Sequence, residues 1–143
     1  MKKLLASLLL MAGTAQAAES LQIDVHRDPN CGCCKAWIEH LRDNGFAVND
    51  QVTADLVAFK QTLGVPRDLV SCHTAVFNGH FVEGHVPAAD VKRLTEQPDI
   101  AGIAAPGMPI GSPGMEMGGG RQDPYQVIAV DQQGQRRVFS SYP

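Results

Sequence analysis

Beyond residue 17 the chain has no apolar run approaching the ~20 residues that a membrane-spanning helix needs. It has no surplus of positive charge either: 12 basic and 15 acidic residues give a formal net charge of −3. That balance leaves no electrostatic footprint for nucleic acid or for anionic lipid. No Ser-His-Asp order, phosphate-cradling glycine loop or pair of catalytic carboxylates appears, so the common hydrolytic and phosphoryl-transfer machineries have no carriers. There is no internal repeat. A basic or aromatic-rich face, which would favour a plain partner-binding module, is also missing. Methionine is scarce outside one place: apart from Met1 and Met11, the only three are Met108, Met115 and Met117.

What is present begins with an export signal. Lys2 and Lys3 precede an apolar core from Leu4 to Met11, and Ala15-Gln16-Ala17 is a small-x-small cleavage site. Residues 1–17 therefore read as a signal peptide and residues 18–143 as one mature periplasmic domain. No cysteine follows the cut, so a lipid anchor is not expected.

Three of the four cysteines crowd into Cys31-Gly32-Cys33-Cys34, and the fourth stands in the pair Cys72-His73. An exported domain with four cysteines can hold two disulfides in three pairings. Simple stapling is a poor account, because bonds among residues 31, 33 and 34 close almost no loop.

The pattern of the chain is β-α-β-α-β-β-α, then a long loop, then β-β. Leu21 to His26 alternates apolar and polar residues as a one-sided strand does. Asn30 is placed to cap a helix in which Cys34, Trp37, Ile38 and Leu41 share a stripe, ending at Asn44-Gly45. Phe46 to Val52 is a second strand. Thr53 is placed to cap a second helix, with Leu56, Phe59 and Leu63 inward. Two short strands flank the hairpin signal Asn78-Gly79, and Pro87 opens a third helix to about Gln97. From Pro98 to Pro124 no regular structure is expected, since the stretch holds five of nine prolines and seven of fourteen glycines. Tyr125 to Val130 and Arg137 to Tyr142 read as a closing hairpin. The class is α/β, a mixed sheet with helices packed on it. A cysteine motif opening the first helix in this order resembles the thioredoxin fold, here with a Gly/Pro/Met loop and an extra C-terminal hairpin.

Position on the helix gives each cysteine a different character. Cys31 sits at the first turn, where unpaired amides and the helix dipole favour a thiolate. Cys34 lies one turn on and more buried, so the two form a CxxC pair able to close a small disulfide. Cys33 points around the helix, where a third thiol hinders disulfide exchange and helps to grip metal. In the oxidised, metal-free protein a Cys31–Cys34 bond is expected, with Cys33 and Cys72 free or joined to each other.

The motifs Cys31-Gly-Cys-Cys-Lys, Ser71-Cys-His-Thr-Ala, Glu83-Gly-His-Val-Pro, Pro106-Gly-Met-Pro and Ser112-Pro-Gly-Met-Glu resemble those of the CopG-type family. These are small bacterial periplasmic copper-resistance proteins, formerly described only as a domain of unknown function. The resemblance spans the mature chain. It implies a thioredoxin-like fold and copper binding at Cys31, Cys33, Cys34 and Cys72.

Donor chemistry leads to the same metal. Thiolate and thioether ligands select copper(I), and four neighbouring thiolates can bridge several such ions. Met108 and Met115, each after Pro-Gly, and Met117 lie in a stretch that cannot be a core element, so they are candidate thioether ligands. His73 neighbours a candidate ligand, although alternation along a strand argues against both contacting one ion. His85 can approach from the end of the hairpin. His26, His40 and His80 read as structural, and Glu83 and Asp90 as surface charges or caps.

Two functions of different class follow. One is copper(I) handling and resistance in the periplasm, with a redox or copper-efflux partner and copper-linked redox activity as an extension. The other is a thiol–disulfide oxidoreductase with Cys31 as nucleophile and Cys34 as resolving thiol.

Overall fold

The computed structural model describes residues 21–143. The leader expected at 1–17 lies outside the described residues. Seven strands form one sheet in the order β2-β1-β3-β4-β5-β6-β7. In chain order they are β1 (Leu21–Arg27), β2 (Phe46–Val52), β3 (His73–Phe77), β4 (His80–Gly84), β5 (Ile100–Ala105), β6 (Tyr125–Asp131) and β7 (Arg136–Tyr142). Three helices connect them: α1 (Gly32–Asp43), α2 (Leu56–Thr62) and α3 (Ala88–Arg93). No described helix is long and apolar enough to cross a membrane.

The first seven elements follow the expected β-α-β-α-β-β-α order. Strand β1 pairs parallel with β2, and β3 runs antiparallel to both β1 and β4. That is the connectivity on which the thioredoxin comparison rests.

Alternation along the strands supplies two apolar faces. Ile23, Val25, Phe77 and Val82 turn towards Trp37, Ile38 and Leu41 of α1 and Val91 of α3. Their neighbours Phe81 and Ala104 turn the other way, against Val65 and Leu69 from the segment after α2. Helical material therefore covers both sides of the sheet. Each large side chain removed from water contributes roughly 1.5–3 kcal/mol.

The stretch expected to lack regular structure from Pro98 to Pro124 is shorter than that. Residues Ile100–Ala105 form β5, which pairs parallel with β4 and antiparallel with β6. Four of its six residues, Ile100, Ile103, Ala104 and Ala105, are at most 1% exposed, so the strand is buried on both sides and shows no polar alternation. Gly102 makes the pairing with β4 possible, because a Cβ there would fall 2.3 Å from the Phe81 ring. The irregular loop runs from 106 to 124, and the closing hairpin joins the main sheet through β5.

Two caps also differ from expectation. Asp55, not Thr53, caps α2 by accepting from the Ala58 amide at 2.9 Å, while the Thr53 hydroxyl bonds His26 Nδ1 at 2.9 Å. Cys31, not Asn30, caps α1: its sulfur accepts from the Cys34 amide at 3.3 Å. Leu56, Phe59 and Leu63 of the second helix are only half-buried.

Candidate metal centre

The cysteine loop meets the entry to β3 because β1 and β3 are neighbours, with Arg27 paired to His73. The chain leaves β1 at Arg27 and enters α1 at Gly32. Cys72 precedes β3 by one residue. Both ends therefore open at the same edge of the molecule.

Cys31 and Cys34 are joined by a disulfide, as expected, and Cys33 and Cys72 are free. Cys33 does not point away from this pair. Its sulfur lies 3.6 Å from Cys31 Sγ and 3.8 Å from Cys72 Sγ, so all four sulfurs make one group. The first helical turn, with its extended N-cap at Cys31, aims the Cys33 side chain back over the helix end.

Both expected histidines are here. His85 Nε2 lies 3.1 Å from Cys72 Sγ and His73 Nδ1 lies 3.3 Å from it. The alternation argument against His73 fails because Cys72 is not yet in the strand, so the two side chains need not diverge. His85 Nδ1 donates to the Pro113 carbonyl at 2.8 Å, which leaves Nε2 of the neutral ring as an acceptor facing Cys72. The His73 ring is wholly buried, tilted against Trp37 at 4.4 Å between centroids and edge-on to His85 at 4.9 Å. Its Nε2 has no hydrogen-bond partner.

Burial sets the protonation states. It pushes the Cys72 thiol up to about 12, with the neighbouring Cys33 adding to the shift and the Ser71 hydroxyl opposing it. His73 is held well below the ordinary imidazole value, first by burial and then by His85 and Lys60. Burial also lowers His85, against the opposing pull of the Pro113 carbonyl and Glu116. The metal-free group is a set of neutral imidazoles and a protonated Cys72, ready to bind an ion that displaces the thiol proton.

The methionine loop already lies on this group. Ser71 Oγ donates to the Gly107 carbonyl, and Pro113 holds His85. Gly114, at φ +83°, sits against the first turn of α1, where a Cβ would fall 2.7 Å from the Trp37 amide and 2.8 Å from the Cys33 carbonyl. Met115 is half-buried, whereas Met108 and Met117 are exposed at 54% and 56%. No methionine belongs to the close donor group of cysteines and histidines.

Glu83 and Asp90 are not surface charges. Glu83 is fully buried and accepts from Lys60 Nζ at 2.6 Å, the Ser71 amide at 2.7 Å and Thr74 Oγ1 at 2.5 Å. Asp90, 2% exposed, accepts from Arg93, Ser140 and Tyr142. The sequence carried one signal for Glu83, a charge inside the apolar run His-Phe-Val-Glu-Gly. Its partner Lys60, 23 residues away, carried none. Of the histidines read as structural, His40 Nε2 accepts from the Ala88 amide at 3.1 Å and His80 Nδ1 contacts the Ile100 carbonyl at 2.7 Å.

Fold and site together define a mixed α/β protein with a thiol and imidazole donor group at the start of its first helix. The family model described as "Protein of unknown function, DUF411" matches residues 69–115. No curated protein matches. A solved structure titled "Copper resistance protein copG- Form 1" is 61% identical, with 87% of this chain and 99% of that chain covered and a TM-score of 0.84. A second, "Copper resistance protein copG- Form 2", is 60% identical, with 87% and 100% covered and a TM-score of 0.85. The chain belongs to the CopG family of copper resistance proteins.

Proposed function

We propose that the protein handles copper in the periplasm and serves copper resistance, holding copper(I) through Cys31, Cys33, Cys34 and Cys72. The observation that carries this reading is the gathering of four sulfurs, with Cys33 at 3.6 and 3.8 Å from Cys31 and Cys72. Sulfur donors favour copper(I) over harder ions, and sulfurs this close can each bridge two ions. The names of the two similar structures support copper as the ion. The signal-like segment ending at Ala17 supports export.

The residues divide the work. Cys31 and Cys34 offer sulfur only when their bond is open, so copper(I) capacity is tied to reduction. His85 and His73 flank Cys72 as candidate nitrogen donors, and the Pro113 carbonyl keeps the His85 lone pair turned inward. Met115 and Met108 sit on the loop above and serve capture and shielding, with Met117 further out.

Titration of anaerobically reduced protein with copper(I) against a competing chelator tests the reading. The expected result is more than one equivalent per chain with sulfur coordination, much weaker zinc binding, and a marked loss on Cys33→Ser. A second reading, thiol–disulfide oxidoreductase, is favoured by the Cys31–Cys34 disulfide at a helix N-terminus. It displaces the first if Cys33→Ser holds copper normally while Cys31→Ser abolishes disulfide exchange.

A further inference from the structure

With the Cys31–Cys34 bond closed, two of the four sulfurs are withdrawn, yet the donors that remain are not scattered. Cys33 Sγ lies 3.8 Å from Cys72 Sγ, and Cys72 Sγ lies 3.1 Å from His85 Nε2 and 3.3 Å from His73 Nδ1. Zinc bonds of about 2.3 Å to sulfur and 2.0–2.1 Å to nitrogen give tetrahedral edges of about 3.8 Å between sulfurs and 3.6 Å between sulfur and nitrogen. The observed separations fall within about half an ångström of those edges.

The imidazoles are prepared in other ways. His85 presents a bare Nε2 because Nδ1 is engaged by Pro113, the arrangement that orients histidine ligands in metal sites. His73 is clamped by Trp37, fully buried, and its Nδ1 is turned to Cys72. A ring that is 0% exposed and has one nitrogen without a partner is costly unless something is gained from it.

We propose that the disulfide-closed protein carries a mixed sulfur–nitrogen site, Cys33, Cys72, His73 and His85, for a divalent cation of borderline softness such as zinc. The proposal deepens the function proposed above, since it uses two of the same sulfurs. The disulfide then selects the ion: open, four thiolates suit a soft monovalent ion; closed, two thiolates and two imidazoles suit a harder divalent one.

Cobalt(II) is the probe, added to protein whose closed disulfide and two free thiols have been verified by mass. The expected result is one ion per chain, with thiolate charge-transfer absorption and the visible bands of a tetrahedral centre, displaced by one equivalent of zinc. Cys72→Ser and His85→Gln should each weaken it at least as much as the roughly 10–100-fold typical of losing a group that only orients a ligand. The double variant Cys31→Ser/Cys34→Ser, which keeps all four proposed ligands, should bind cobalt(II) with comparable affinity and hold far less copper(I). Absence of a thiolate–cobalt band in both the closed protein and the double variant overturns the proposal. So does an unchanged cobalt affinity in His85→Gln. If reduced protein fails to hold copper(I) while closed protein binds cobalt(II), the function proposed above falls and this site stands. The opposite pair of results removes this site alone.

Discussion

Two buried polar groups sit on neighbouring strands and are built in opposite ways. Around Glu83 the account closes: both carboxylate oxygens are occupied, by Lys60, Thr74 and the Ser71 amide. Around Cys72 it does not. The contacts there are long, made by sulfur, and one buried nitrogen of His73 has no partner. A group that is satisfied from within the chain holds the fold in place. A group left partly unsatisfied at a similar depth is suited to receive something from outside. The two are coupled mechanically, because Glu83 grips the backbone of Ser71, next to Cys72.

The sharpest way to break this comparison is Glu83→Gln. It leaves Lys60, 5% exposed, without its counter-charge, and we expect a loss of about 3–5 kcal/mol in denaturant unfolding of the metal-free protein. A loss below that of His85→Gln would show that the closed network is not the structural one.

Next in size is Gly114→Ala, which forces a Cβ at φ +83° against the α1 backbone. A cost of about 1–3 kcal/mol is expected, together with protease sensitivity between 106 and 124. Unchanged protection of that stretch would mean that the loop is held elsewhere.

His85→Gln should cost only about 1 kcal/mol in the metal-free protein, the worth of its bond to Pro113. Its larger effect should appear in metal affinity. Equal losses with and without metal would make His85 a structural residue like Glu83.

The smallest effect concerns pH. His40 is held below the ordinary value of 6.5, chiefly by burial, so the unfolded chain takes up its proton first. Its contribution is present above 6.5 and is lost as the pH falls through the folded value. His40→Gln keeps an acceptor for the Ala88 amide and should flatten the acid side of the stability profile, measured by thermal melts.

How far the sequence led differs between the same two groups. The cysteine group was legible because three of its members are sequence neighbours, and the fourth stands in a Cys-His pair at a strand start. Helix α1 was legible from its stripe of Cys34, Trp37, Ile38 and Leu41, all buried. The Lys60–Glu83 pair was not, since its partners are set by the packing of α2 across the sheet and not by spacing. Strand β5 escaped because alternation marks a strand with one wet face, and this one has none. The closeness of His73 to Cys72 escaped because a strand rule was extended one residue before the strand begins.

Trp37 is the only tryptophan in the chain. Its indole is fully buried, donates to the Val86 carbonyl at 2.8 Å, and leans on the His73 ring beside Cys72. The protein thus contains its own optical gauge. A single emitter, fixed in one rotamer, lies within two contacts of the sulfur shared by both proposed ion sets. Emission intensity and lifetime should therefore follow events at Cys72 in real time, in unlabelled protein, with no background from a second indole.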